Sequence, residues 1–245
     1  MAAGTRGETA EHGLAVRVRV MSRSRIPLLH AVTNDEIVAR PHFLERARSF
    51  AIVAHDRGAI HLRGHRQTGR RLYDLARALV ELQRETGCWL VVNDRADVAL
   101  ATGARGVQLT SRSMSVADAR AVSPTLAIGA SIHDPDDGAR AARAGADWAV
   151  AGHIYPTDSH RGEAGRGPEL VRRITRRTAI PIIAIGGVRP HHVPLLIATG
   201  AYGIAAIRGI WDSADAGQAA FDYLSSHDGD GNGNGHGGSD ADGER

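Results

Sequence analysis

The stretch Gly152-His-Ile-Tyr-Pro-Thr-Asp-Ser-His-Arg-Gly-Glu-Ala-Gly-Arg-Gly167 sets histidines, arginines and carboxylates among glycines, with no helical or strand period. A packed core has no use for such a segment; a loop handling protons and anions does. His153 opens it, and Ser131-Ile-His133 precedes it by one structural unit. An imidazole titrates near neutral pH and is the natural proton carrier, so His133 and His153 are the candidate catalytic residues. Two further segments, Ala184-Ile-Gly-Gly-Val188 and Ala206-Ile-Arg-Gly-Ile210, suit an anion, because glycine lets backbone N–H groups approach it closely. Gly186, Gly187, Ile207 and Arg208 are therefore the candidate phosphate-binding residues; the plainer reading of Gly186-Gly187 is a tight turn. Asn93-Asp94-Arg-Ala-Asp97 offers carboxylates, but Asp94 alone is too little for magnesium, and Asn93 or Asp94 can equally cap a helix beginning near Arg95. No metal ligand set is expected.

Composition removes whole classes of chemistry. All 30 basic residues are arginine, so Schiff-base aldolases, pyridoxal-phosphate enzymes and Walker-type phosphate loops, which need a lysine amine, are excluded. The net charge of +3 hides an acidic tail: from His227 onward the net is −4, leaving +7 on the remainder. A basic body suits an anionic small molecule or nucleic acid. The arginines are scattered along helices without interleaved aromatics, which favours the small molecule and no nucleic-acid partner. The one cysteine, Cys88, lies in Gly-Cys-Trp-Leu-Val-Val and reads as a buried, inert thiol. The longest apolar runs fall far short of a membrane span and the N-terminus lacks a secretory apolar region, so the expectation is a cytoplasmic protein with no membrane partner.

Eight short apolar runs alternate with amphipathic segments: Leu28 to Val32, Ala59 to Arg63, Cys88 to Val92, Gly106 to Leu109, Leu126 to Gly129, Asp147 to Ala151, Ile180 to Ile185 and Gly203 to Ile207. Helical patterns such as Thr68 to Thr86, Pro135 to Ala144, Pro168 to Thr178 and Pro190 to Thr199 fall between them. Continuous apolar strands alternating with helices predict an α/β fold, a (β/α)8 TIM barrel, over residues 26–225. A doubly wound sheet is the alternative, without the glycine fingerprint of its dinucleotide-binding form. Residues 1–25 read as a flexible extension and 226–245 as a disordered Gly/Asp-rich tail. In a barrel the site lies at the C-terminal strand ends, which are polar here: His30 and Thr33, Arg63 and His65, Asn93 and Asp94, Gln108, Ser131 and His133, then His153.

Leu29-His-Ala-Val-Thr33, Val92-Asn-Asp-Arg-Ala-Asp97, Gly129-Ala-Ser-Ile-His133, Gly152-His-Ile-Tyr-Pro-Thr157 and Ile185-Gly-Gly together resemble the thiamine phosphate synthase/TenI superfamily of phosphate-binding barrels, from about Leu28 to Leu224. The synthase branch, which couples an aminopyrimidine diphosphate to a thiazole phosphate, has Arg-Glu-Lys after strand two and Gly-Gln-Glu-Asp after strand four. Here those positions read Arg63-Gly-His65 and Thr110-Ser-Arg-Ser113. The lysine of that pattern, a second one in its Gly-Pro-x-x-x-Thr-x-Thr-Lys after strand six, which here reads Gly152-His153 through Ser159-His160, and one magnesium-binding aspartate are gone. The likeness is closer to the thiazole tautomerase TenI, through Ser-x-His, Gly-His, Thr157-Asp158 and Glu163-Ala-Gly-Arg-Gly167. It implies an isomerase that moves an exocyclic double bond of a thiazole carboxylate phosphate into the ring, without a cofactor. On that resemblance His133 shuttles the proton, and His153 and Arg63 face the carboxylate. Gly187, Ile207 and Arg208 hold the phosphate; Asn93, Ser131, Thr157 and Gly186 complete the substrate site, with Arg166 on a lid. Two alternatives stand beside it: a thiamine phosphate synthase using arginine in place of lysine, and a non-catalytic regulator that binds thiazole phosphate. Whether the chain forms a homodimer is left open.

Overall fold

The computed structural model describes residues 26–158 and 162–229. The N-terminal extension, the tail from 230 and residues 159–161 of the polar loop lie outside the described residues. Eight parallel strands, β1 (Leu29–Val32), β2 (Gly58–Leu62), β3 (Trp89–Asn93), β4 (Gly106–Leu109), β5 (Ala127–Ile132), β6 (Trp148–Gly152), β7 (Ile182–Ile185) and β8 (Gly203–Ala206), pair in sequence order. Leu29 to Ala31 of β1 lie opposite Ile204 to Ala206 of β8, which closes the barrel. The strands read as unbroken apolar runs because both faces are covered. One face fills the barrel with Val32, Trp89, Val91, Trp148, Val150 and Ile183. The other, through Leu62, Leu90, Val92, Ile128 and Ile204, packs under the helices.

The helices are α1 (Asp35–Val38), α2 (Phe43–Ala54), α3 (Gly69–Thr86), α4 (Ala96–Thr102), α5 (Val116–Val122), α6 (Pro135–Arg143), α7 (Glu169–Thr175), α8 (Val193–Ala198), α9 (Arg208–Trp211) and α10 (Ala216–Asp228). Helix α3 shows how sequence sets the bounds. Thr68 caps its start by accepting from Arg71 N, Gly87 ends it in the left-handed region at φ 80°, and Leu72, Leu75, Ala76 and Leu79 form its buried stripe. No described helix is long and apolar enough to cross a membrane. Cys88 is buried, and burial pushes its thiol pKa up, as an inert thiol requires.

The largest interior side chain, Trp148, is accommodated by glycines. A Cβ on Gly129 would lie 2.2 Å from its ring, and one on Gly106 3.0 Å. The indole N–H donates to Gln108 Oε1 at 3.0 Å, which turns the Gln108 amide N–H toward Ser131 Oγ at 3.1 Å. A packing decision at mid-barrel thereby orients a polar group at the pocket floor.

Several local expectations change. Strand β5 runs to Ile132, so Ser131 lies inside it rather than after it. Pro190 opens a 3-10 turn over Pro190–His192 before α8 starts at Val193. The last turn of α10 includes 226–228, assigned from sequence to the tail. Neither Asn93 nor Asp94 caps α4: its N-cap is Arg95, without a side-chain bond, and Asp94 is used elsewhere.

Candidate active site

A cavity of about 280 Å³ opens at the C-terminal strand ends, and every residue singled out as catalytic or substrate-binding lines it. In a closed barrel of eight strands, β2 to β4 stand across from β6 to β8, so the lining divides into two walls.

On the first wall Arg63 follows β2. Thr33 fixes its backbone, the Thr33 hydroxyl accepting from Arg63 N at 2.9 Å and lying 3.0 Å from Arg63 O. The guanidinium is half-buried; desolvation lowers its pKa while Asp94 and Asp35 favour the charge. It has no hydrogen-bond or ion-pair partner within bonding distance among the described residues. Asp94, at φ 62°, turns back so that its Oδ1 accepts from Thr110 Oγ1 at 2.6 Å and from the Ser113 hydroxyl. His65 Nδ1 stands 3.9 Å from Asp94 Oδ2, and Arg112 Nη2 donates to His65 Nε2 at 3.2 Å. Desolvation, then Arg63 and Arg112, hold the His65 pKa below its ordinary value.

The magnesium of the synthase pattern has a poor home here. Ser113 stands where that pattern has the second carboxylate, and its hydroxyl donates into Asp94. Among the described residues no group of three or more His, Cys, Asp or Glu is arranged to hold a metal. A single carboxylate, one oxygen already taken by two hydroxyls, does not fit a hard divalent cation.

Below this wall lies a feature the sequence did not announce. His30 Nδ1 and His61 Nε2 are 2.7 Å apart in the barrel interior, and His30 Nε2 lies 2.9 Å from Pro27 O. A carbonyl only accepts, so His30 carries its proton on Nε2 and takes the His61 proton on Nδ1. Asn93 lies beside His61 and acts to raise its pKa, against the larger effect of burial. Asn93 lines the cavity, while its Oδ1 is fully buried and without a hydrogen-bond partner among the described residues. Burial lowers the His30 pKa from its ordinary 6.5 to about 4 and that of His61 well below 6.5.

On the opposite wall the glycines are required by packing. A Cβ on Gly186 would lie 2.5 Å from His153 Cβ, and one on Gly187 2.5 Å from Pro156 O, with φ at 103° and 64°. Their absence of side chains lets the β6 loop lie on the end of β7, with Ile154 N donating to Ile185 O and Tyr155 N to Gly186 O, both at 2.9 Å. Ile207 and Arg208 follow β8, and Arg208 is ion-paired to Asp158. His153 is buried, its Nε2 3.1 Å from Ala164 O. His133 is exposed at the rim, its Nδ1 3.3 Å from Gly152 O.

The polar loop is not a free lid where it is described. Arg166 N donates to His153 O and Gly167 N to Ile154 O, so the returning limb is bonded along the outgoing one, and Arg166 Nη1 donates to His133 O. A Cβ on Gly165 would lie 2.4 Å from Ile154 O, so that position demands glycine. Thr157 faces the cavity.

Comparison with known proteins tests the tautomerase expectation. The family described as "Thiamine monophosphate synthase" (TMP-TENI) matches residues 29–210. A thiamine-phosphate synthase of Chlorobium luteolum is 42% identical over 163 residues, 66% of this chain and 77% of that protein. One of Salinispora arenicola is 34% identical over 206 residues, 83% of this chain and 98% of the relative. Among solved structures, thiamine phosphate pyrophosphorylase from Pyrococcus furiosus superposes with a TM-score of 0.73 at 31% identity, covering 84% of this chain and 97% of that one. The two sequence relatives are named as synthases, a transferase class, the solved structure as a pyrophosphorylase, and none of the three as an isomerase. They overturn the isomerase assignment that the likeness to the tautomerase implied. The motif resemblance weighed a few loop residues heavily, whereas agreement along the whole barrel favours the synthase side. The chain belongs to the thiamine monophosphate synthase family.

Proposed function

We propose that this cavity joins an aminopyrimidine methyl diphosphate to a thiazole phosphate. The thiazole ring nitrogen attacks the methylene carbon; the C–N bond forms, the C–O bond breaks, and diphosphate departs with the electron pair. No proton changes hands, so the reaction asks for charge stabilisation and alignment rather than a general base.

The observation that carries this reading is an arginine on each of two facing walls of one cavity. Arg63, with Arg112 behind it outside the lining, suits the diphosphate; Gly186, Gly187 and Arg208, the last exchanging its partner Asp158 for a phosphate, suit the second substrate. Between them Asn93 lines the cavity with an amide of the kind that suits the donor and acceptor edge of an aminopyrimidine. Ser131, positioned through Gln108, offers a second polar contact on the same floor. His133 and His153 bound the pocket and carry no step.

A charge-assisted contact is worth about 2 kcal/mol, or roughly thirtyfold. Arg208→Gln should therefore raise KM for the thiazole phosphate about thirtyfold and leave KM for the diphosphate within a factor of three, with Arg63→Gln doing the converse. Equal effects of both variants on both substrates would contradict the two-pole reading. The loss of the pattern's second carboxylate favours one other reading, a binder of thiazole phosphate without turnover, for which product would never form.

A further inference from the structure

We propose that the diphosphate pole of this protein is a metal-independent clamp made of Arg63 and Arg112, with His65 and Asp94 as its anchor. The inference rests on the coupling reading for the identity of the ligand, and on the following geometry for its mechanism.

Asp94 is engaged inward. Its Oδ1 accepts from the Thr110 and Ser113 hydroxyls, and the other oxygen faces His65, so it serves as an anchor for the β2 and β4 loops. Arg112 donates to the unprotonated Nε2 of His65, which fixes where that guanidinium starts while leaving its other N–H groups unspent. Arg63 stands half-buried in the lining with no partner of its own among the described residues. Each guanidinium lowers the pKa of His65, so both lie within electrostatic reach of the same spot, and Arg112 lowers that of Arg63. Two like charges sit near Asp94 and Asp35, and both carboxylates are already engaged by other groups, so a polyanion relieves the repulsion between the guanidiniums.

The chemistry is that of a diphosphate rather than a lone monophosphate. Two planar forks arriving from the loops after β2 and β4, either side of β3, can each take two oxygens, one fork per phosphoryl group. Arg63 matches an arginine of the synthase pattern, and Arg112 and Ser113 replace a glutamate and an aspartate of it, so this loop exchanges two negative charges for one positive one. The clamp holds the leaving group in the ground state and neutralises the charge that grows on it as the C–O bond breaks.

Inorganic pyrophosphate, titrated calorimetrically into the full chain in excess EDTA and again in excess magnesium chloride, separates the outcomes. The clamp predicts binding in EDTA that magnesium does not tighten, and a loss of about tenfold or more in Arg112→Gln. Arg112 is exposed on a loop, so this variant leaves the fold intact; Arg63→Gln should show the same loss. Binding that requires magnesium, or tightens more than about tenfold with it, overturns the clamp, as does unchanged affinity in both variants. If pyrophosphate binds without metal but the two substrates are never joined, the coupling reading fails and the clamp stands. If they are joined only with magnesium, the clamp fails and the coupling stands.

Discussion

Acidification should destabilise this barrel through the buried His30–His61 pair. Both imidazoles are neutral in the folded protein, and desolvation lowers both pKa values, that of His30 from 6.5 to about 4. For a group whose folded pKa is depressed, the unfolded chain takes up the proton first. The contribution is fully present above pH 6.5 and is lost as pH falls from 6.5 towards 4. At 1.36 kcal/mol per unit, His30 alone contributes about 3 kcal/mol, of which about 2 kcal/mol is gone by pH 5; His61 acts in the same direction. The carboxylates held below their ordinary 3.8, among them Asp35 and Asp97, do not enter that window. Urea unfolding at pH 7 and pH 5 measures the effect, with His30→Gln as comparator: its amide can accept from His61 and donate to Pro27 O but does not titrate. The parent should lose about 2 kcal/mol more than the variant between the two pH values. Parallel losses in parent and variant would refute the argument that this pair is held neutral by burial.

Three other substitutions separate packing from backbone strain and test a network outside the site. Gly129→Ala places a methyl 2.2 Å from the Trp148 ring and 2.3 Å from Gln108 Oε1 and should cost about 3 kcal/mol by thermal unfolding. Gly103→Ala, with nothing within 4 Å but φ at 82°, should cost only about 1–2 kcal/mol. Arg120 donates to Leu126 O, Gly145 O and the Asp147 carboxylate, which in turn accepts from Ile128 N. Arg120→Met strands those acceptors and should lower Tm by roughly 4–8 °C, about 2 kcal/mol in a domain of this size, with ligand affinities unchanged.

The barrel was legible because its strands are covered on both faces and so read as apolar runs; Gly106–Leu109 is both the expected run and the observed strand. Strand β5 hid its end because Ser131 and the glycine before it interrupt the apolar signal, although their side of the strand faces the barrel interior. The site residues were legible for a positional reason: polar groups following each run converge at one end of a barrel wherever the loops go. What pairs across strands was not. His30 and His61 are 31 residues apart and meet only through barrel closure, and Arg112 acquires meaning only beside His65. The polar loop suggested a lid by its glycines, yet Gly165 and Gly186 are there so that two backbones can lie against each other. Glycine enrichment alone does not separate close packing from mobility.

The most direct test of the central claim is to mix the full chain with the aminopyrimidine methyl diphosphate and the thiazole phosphate, and to quantify thiamine phosphate and inorganic pyrophosphate together. The two-pole account predicts both products in equal amounts, formed only when both substrates are present. Tight binding of both substrates with no joined product, with or without magnesium, would contradict it.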